Sequence, residues 1–268
     1  MYKSRFKKKY SGEKKTKFNF KLFAVLFFVL VFFVGLFSLL RADFLRVKSF
    51  EISGADTVSK ENLASAASAF VSGSKFLILP KSNKIFLDEE SLSEHLMRSF
   101  GRLESVSVER AIFGSALKIK VTERTPDFLW CLAEGECFFM SSEGLVFEKV
   151  EAGWLPAYDD RPVFSGVLSA DPIGKNFASP EDMRKYQNFM KDFVDAGFEV
   201  GGMSVELENK AVMNTNVGDI VFNPEENTLA SSSRNAILLI KDERSKNPSA
   251  RFEYIDTRFG SKLFYKIF

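Results

Sequence analysis

Residues 22–40 read LFAVLFFVLVFFVGLFSLL, a run of nineteen residues without a charge. A helix of this length extends for about 30 Å at a rise of roughly 1.5 Å per residue, which matches the hydrocarbon core of a bilayer. A buried helix of a soluble protein would carry a polar stripe at this length, and this segment has none. The stretch therefore predicts a transmembrane helix.

The flanks of this helix indicate an uncleaved anchor, not a signal peptide. The apolar region of a signal peptide has about 7–15 residues and precedes a small-residue cleavage site. This run is longer and ends in Leu39-Leu40-Arg41-Ala42-Asp43, without such a site. We therefore expect a single-pass protein of the cytoplasmic membrane.

The charge distribution sets the predicted orientation. Residues 1–40 hold nine Lys/Arg and one acid, a net charge of +8, whereas residues 41–268 carry a net charge of −6. The positive-inside rule then predicts a basic cytoplasmic tail, residues 1–21, and an extracytoplasmic region, residues 41–268. The net charge of the whole chain, +2, does not indicate a nucleic-acid binder. Because the basic tail lies next to the bilayer, anionic lipid is a simpler partner for it than nucleic acid.

The patterns over residues 44–124 predict a small α+β domain in the order β-α-α-β-β. Asp88 is the predicted N-cap of its second helix, where Glu89 and Glu90 favour the positive helix end. The lone His95 lies within that helix and is interpreted as an ordinary helix residue. The predicted elements are a strand at Phe44–Ser53, helices from Ser59 to about Ser72 and at Glu89–Phe100, a short apolar run at Phe76–Leu79, and a hairpin of Val106–Arg110 with Leu117–Val121 around Phe113-Gly114-Ser115.

Residues 125–268 predict a second domain, a mixed β domain with flanking helices, beginning after Thr125-Pro126. Ser179 and Pro180 predict the start of a helix that runs to Ala196. Its predicted buried face is Met183, Tyr186, Phe189, Met190 and Phe193. Another helix is expected over roughly Glu226–Lys241. Strands are predicted at Phe128–Leu132, Cys137–Met140, Leu145–Phe147, Met203–Leu207, Ala211–Asn214, Asp219–Phe222, Phe252–Thr257 and Lys262–Phe268.

The sequence lacks the motifs of the common catalytic sites. It has no G-x-S-x-G elbow, no phosphate-binding G-x-x-x-x-G-K-[ST] loop and no dinucleotide-binding G-x-G-x-x-G. Two Cys and one His exclude a four-ligand zinc site of Cys and His, and no cofactor is expected. Asp88-Glu89-Glu90 is explained by helix capping and Asp159-Asp160 by a solvated turn. We expect no enzymatic activity.

Cys131 and Cys137 bracket a predicted hairpin loop on the oxidising side of the membrane. Two Cys across a hairpin can reach disulfide distance, and we expect a structural disulfide. The alternatives are two free buried thiols and a redox function, the latter weakened because the spacing is not C-x-x-C.

Three further stretches carry a family resemblance. The first predicted strand ends in Phe50-Glu51-Ile52-Ser53-Gly54, the first domain ends in Glu123-Arg124-Thr125-Pro126, and the last strands contain Tyr254-Ile255-Asp256-Thr257-Arg258-Phe259-Gly260. With the single span, they resemble the FtsQ/DivIB family of bacterial cell-division proteins over residues 1–268. The chain departs from the family pattern at Ala55, where Asn is frequent, and at Thr257, where Leu is usual.

The resemblance implies a short cytoplasmic tail, one span, a POTRA domain at residues 44–124 and a β domain at 125–268. It implies a non-enzymatic scaffold that links early and late divisome proteins at the septum. The implied partners are FtsB/DivIC-like and FtsL-like proteins, bound through the β domain, and further divisome members bound through the POTRA domain. The alternatives are a signal-anchored cell-envelope enzyme and a member of an outer-membrane assembly system; the latter is disfavoured because no series of barrel strands follows the first domain.

The final strand provides the candidate partner site. A strand that ends a chain is expected at a sheet edge, with unpaired backbone groups available. Leu263, Tyr265 and Ile267 form its predicted core face, and a three-residue loop around Gly260 would place Tyr254 and Asp256 on the outer face. The alternative is that these aromatic side chains are ordinary surface residues without a partner, but the resemblance favours a binding site on the last strands. The predicted partner-binding residues are Tyr254, Asp256, Arg258, Phe264, Lys266 and Phe268.

Overall fold

The computed structural model describes residues 20–75, 79–111, 114–132, 135–151, 160–166, 168, 171–206, 209–226, 229–260 and 262–268. The chain forms two compact units. The first is made of Met1–Phe50, Val71–Leu87 and Arg110–Leu117, and the second of Glu51–Phe70, Asp88–Glu109 and Lys118–Phe268. Most of the predicted basic tail, much of the Phe76–Leu79 run and Asp159 lie outside the described residues, and the boundary at residue 125 stays a prediction.

The first unit contains helix α1 (Phe20–Leu40). Its Phe23–Leu40 window has a mean hydropathy of 3.0, and among the described helices α1 is the one long and apolar enough to cross a membrane. The predicted strand Phe44–Ser53 is confirmed only from Ser49 onward, because a 3-10 turn spans Asp43–Leu45, where Arg46 lies 3.4 Å from Asp43. A short antiparallel ladder pairs β2 (Ser74–Lys75) with β3 (Leu79–Pro80).

Residues 49–123 also contain a three-stranded sheet and two helices. Asp88 accepts a hydrogen bond of 3.0 Å from the Ser91 N–H, so the predicted N-cap is confirmed. His95 is half-buried against the Phe70 ring, 5.1 Å between centroids. The elements are β1 (Ser49–Ser53), α2 (Lys60–Val71), α3 (Glu89–Ser99), β4 (Leu103–Arg110) and β5 (Ala116–Glu123), with sheet order β1-β5-β4.

The larger sheet has nine strands in the order β14-β13-β12-β11-β10-β9-β6-β7-β8. Three pairs are parallel: β6 with β9, β9 with β10, and β12 with β13. Helices α4 (Pro180–Asp195) and α5 (Ala230–Lys246) make two of the crossovers that parallel pairing requires. The strands are β6 (Phe128–Cys131), β7 (Cys137–Met140), β8 (Val146–Lys149), β9 (Val163–Gly166), β10 (Val200–Glu206), β11 (Lys210–Thr215), β12 (Gly218–Phe222), β13 (Phe252–Phe259) and β14 (Lys262–Ile267).

One face of this sheet is the main core. All five residues of the predicted α4 face are buried, and Phe189 contacts Phe222 of β12 with ring centroids 4.5 Å apart. Ser179 caps α4 as predicted, accepting from the Asp182 N–H at 3.1 Å. Helix α5 begins at Ala230, later than predicted, and no side chain caps it. The fold is therefore mixed α+β, with β14 and β8 at the two edges of a helix-covered sheet.

Candidate partner-binding edge

Strand β14 forms one edge of the nine-stranded sheet. It pairs antiparallel with β13, and the Phe268 N–H adds a hydrogen bond of 3.1 Å to the Arg251 carbonyl beyond the strand end. Among the described residues no strand lies on its other side. The predicted edge position is thus confirmed, and one row of backbone donors and acceptors is open to a further strand.

The register of the β13–β14 hairpin confirms the predicted faces. Ile255 pairs with Tyr265 on the helix-covered side, whereas Asp256 pairs with Phe264 and Tyr254 with Lys266 on the opposite side. The predicted three-residue loop is wrong, because Phe259 pairs directly with Lys262. A bulge between Asp256 and Phe259 takes up one extra residue of β13. The pairs at Tyr254, Ile255 and Asp256 are therefore those that the three-residue loop would have given.

The helix-covered side of β14 is less buried than predicted. Leu263 is half-buried, and Tyr265 and Ile267 are exposed. The reason is that α5 packs against β13, the neighbouring strand. The Tyr265 ring centroid lies 5.9 Å from that of the buried Phe252 ring, so this side of β14 contacts the core through β13. These side chains belong to the candidate surface, which the alternation pattern alone did not indicate.

Aromatic side chains dominate the opposite side. Phe264 is 52% exposed and contacts Phe259, 54% exposed, edge to face at 5.0 Å. Tyr254 and Phe268 are also exposed. Phe259 was missing from the predicted site residues, although its position beside Gly260 at the hairpin tip marks it as an exposed aromatic. We call Phe259, Phe264 and the exposed aromatic and aliphatic side chains of β14 the edge surface.

Asp256 does not lie on the surface as predicted. It is buried and accepts hydrogen bonds from Arg258, with Nη2–Oδ2 at 2.7 Å and Nε–Oδ1 at 3.0 Å. The hydrogen bond and the charge of Asp256 raise the pKa of Arg258. The guanidinium lies 5.7 Å from the Phe259 ring centroid. Asp256 therefore acts as a support that holds Arg258 beside the edge surface.

Charged groups frame the edge surface. Lys266 pairs with Glu253 across the hairpin at 2.5 Å, and the hydrogen bond from Lys266 to that carboxylate raises the lysine pKa. Lys262 is exposed beside the hairpin tip. Exposed apolar rings next to an open edge, with charges at the rim, are the features that strand addition uses for affinity and selectivity.

Cys131 and Cys137 occupy directly paired positions of β6 and β7, with their Cα atoms 4.1 Å apart and their sulfurs bonded. The pair lies against a small buried cluster that includes Phe139 and Phe147, toward the β8 edge. No group of His, Cys, Asp and Glu that could hold a metal occurs among the described residues. The disulfide therefore cross-links the β6–β7 hairpin, which lies far from β14 in the sheet order.

No known protein family matches the chain, and no curated protein matches it.

Proposed function

We propose that this chain is a membrane-anchored, non-enzymatic scaffold of the bacterial divisome that resembles FtsQ/DivIB proteins. The observation that carries the proposal is the edge surface: β14 is an open strand with apolar side chains exposed on both faces. Soluble proteins normally blunt or cover such an edge, because it invites pairing with other chains. A surface of this kind fits a partner that completes it.

The arrangement of elements supports the same proposal. An apolar helix at the N-terminus precedes a three-stranded sheet with two helices, and a nine-stranded mixed sheet follows. The elements of the small sheet follow the order β-α-α-β-β, with the β2–β3 ladder inserted between the two helices. This order is the one expected for a POTRA domain, with the larger sheet as the β domain.

Binding would proceed by addition of a partner strand to β14. Backbone hydrogen bonds would supply affinity that is independent of side chains, and Phe264 with Phe259 would supply an aromatic anchor. Tyr265 and Ile267 on the other face would contact a second partner element. The proposed partners are FtsB/DivIC-like and FtsL-like proteins, bound on the extracytoplasmic side of the membrane at the division site.

Calorimetry of the full chain in detergent micelles against the purified FtsB/DivIC-like partner tests this proposal. Phe264→Glu should weaken binding by about 2 kcal/mol or more, roughly 30-fold, because a charge replaces a central aromatic anchor. Leu238→Glu is the matched control, since this α5 side chain is 60% exposed and lines a groove between α4 and α5 that contains no residue of β14. Equal affinity of the wild type and Phe264→Glu would rule out the edge surface as the binding site.

A further inference from the structure

The first compact unit concentrates positive charge. Outside helix α1, its residues 41–50, 71–87 and 110–117 contain seven Lys/Arg and a single acid, Asp43, a net charge of +6. The remainder of residues 41–268 carries a net charge of −12. Within residues 41–268, the net charge is thus positive in the segments that belong to the unit of α1 and negative in the remainder.

One hydrogen bond attaches a loop of this unit to the end of α1, and two more attach the loop to the segment that follows the helix. Asn83 is fully buried, and its side-chain amide donates to the carbonyl of Leu40, the last helical residue. The Lys84 N–H donates to the Leu45 carbonyl at 2.8 Å, and the Val47 N–H donates to the Ser82 carbonyl at 2.9 Å. The loop at residues 81–87 is therefore held at the level where α1 ends.

Apolar side chains are exposed close in sequence to these contacts. Phe44, Ile85 and Phe86 are exposed in the first unit, within five positions of either Leu40 or the Asn83 contact. Asn83 also fixes the direction of the loop, since its Oδ1 accepts from the Ile85 N–H at 2.8 Å and its carbonyl accepts from the Phe86 N–H at 3.1 Å. The cations Arg41, Lys48 and Lys81 are exposed in the same unit, each within five positions in sequence of Phe44 or Ile85.

We propose that Phe44, Ile85 and Phe86, together with Arg41, Lys48 and Lys81, form an interfacial collar that binds anionic phospholipid headgroups beside the outer end of α1. The collar rests on the proposed membrane span of α1. Aromatic and aliphatic side chains are favourable at headgroup level, and basic side chains there are attracted to anionic lipid. The collar fixes the first unit on the bilayer and restricts its rotation about the end of the helix.

The charge complementarity selects lipid as the occupant. A protein partner for this surface would have to approach the end of the span, where headgroups already lie, since Phe44 follows Leu40 by four residues and Asn83 contacts Leu40. A single span holds the chain in the bilayer but leaves the segments that follow α1 free to rotate about the helix axis, and a second, interfacial contact removes this freedom. Basic residues around an apolar tip supply such a contact.

The test places an environment-sensitive fluorophore on the full chain in nanodiscs that contain brominated lipids. The labelled positions are Ile85→Cys in the collar, Leu238→Cys on α5 as an exposed control, and Val31→Cys in α1 as a reporter of the span. The discs are made of phosphatidylcholine alone or of phosphatidylcholine with phosphatidylglycerol. Lipid contact is read from quenching by bromine.

The collar predicts strong quenching at position 85 in discs with phosphatidylglycerol, weaker quenching in phosphatidylcholine, and none at position 238. Lys48→Glu with Lys81→Glu should lower the equilibrium constant for headgroup contact by about 30-fold or more, at roughly 1 kcal/mol per basic side chain. High salt should act in the same direction.

Quenching at position 31 without quenching at position 85 overturns the collar and leaves the membrane anchor intact. Equal quenching at position 85 in the two lipid mixtures overturns the assignment to anionic lipid. Absence of quenching at position 31 as well contradicts the proposed span itself, so the two failures are distinguishable.

Discussion

Glu123 closes the turn that follows β1, and its replacement by Gln should destabilise the protein. Its Oε1 atom accepts hydrogen bonds from the backbone N–H groups of Asp56 at 2.8 Å, Thr57 at 3.0 Å and Val58 at 2.9 Å. It also lies 3.5 Å from the buried Arg102 guanidinium, which pairs in addition with Glu148. Three backbone donors and one buried cation thus depend on this side chain.

The magnitude follows from these contacts. Gln keeps one acceptor oxygen but removes the charge, and charge-assisted hydrogen bonds are about twice as strong as neutral ones. With net values of about 1.5–3 kcal/mol for bonds to charged groups, and with solvent at part of the turn, the loss should be about 2–3 kcal/mol. Arg102 retains Glu148 and the face of the Phe139 ring, 5.4 Å away, which limits the cost of leaving its charge buried.

The assay is urea unfolding of the full chain in detergent, followed by far-ultraviolet circular dichroism. Glu109→Gln is the control, because this exposed residue of β4 undergoes the same chemical change without the turn contacts. A difference between the two variants of less than about 0.5 kcal/mol would refute the role of Glu123, since ordinary surface substitutions fall in that range.

The pH dependence of the unfolding free energy provides a second test of the Glu123 contacts. Burial raises the pKa of Glu123, but the hydrogen bonds from the Val58, Asp56 and Thr57 amides outweigh it and lower the pKa below the ordinary value of 4.5. Because the folded-state pKa is depressed, the stabilisation is full above the unfolded-state pKa and is lost as the pH falls through the folded-state value. The stability gap between the wild type and Glu123→Gln should therefore close in acid.

Three further predictions concern topology, the disulfide and a strand contact. Protease added outside the membrane should digest residues 41–268 and spare residues 1–21, and protection of the larger part would reverse the proposed orientation. Mass spectrometry of unreduced native protein should find Cys131 and Cys137 joined, and two thiols open to alkylation would contradict this; reduction should cost roughly 2 kcal/mol of stability. Gly218→Ala should lower the urea midpoint, because Gly218 has φ +140° and its added Cβ would lie 2.1 Å from the Phe252 carbonyl oxygen, whereas Gly201→Ala, with only a 4.0 Å contact, should not.

Local patterns predicted the elements that depend on neighbouring residues. Ser179 and Pro180 specify the start of α4 because capping is decided within one helical turn. The apolar spacing from Met183 to Phe193 specified the buried face of α4, and alternation specified the faces of β14. Each of these signals lies within a few residues of the feature it predicts.

Contacts between distant segments could not be predicted in this way. Asp256 is buried on a face where alternation predicts exposure, and the exposure of Tyr265 depends on where α5 ends its coverage of the sheet. Glu123 stood out in the sequence as part of the Glu123–Pro126 motif, but its contact with a turn 65 residues earlier is visible only in the structure. Packing across the fold, not local propensity, determines these features.

We propose that the edge surface links this chain to the division machinery. The most direct measurement images the full chain and its FtsB/DivIC-like partner, each fused to a fluorescent protein, in dividing cells of the source organism. We expect the wild-type chain and its partner to gather at midcell. The partner should disperse when the chain carries Phe264→Glu but not when it carries Leu238→Glu. An even distribution of the wild-type chain around the envelope, or a partner that stays at midcell with Phe264→Glu, would contradict this proposal.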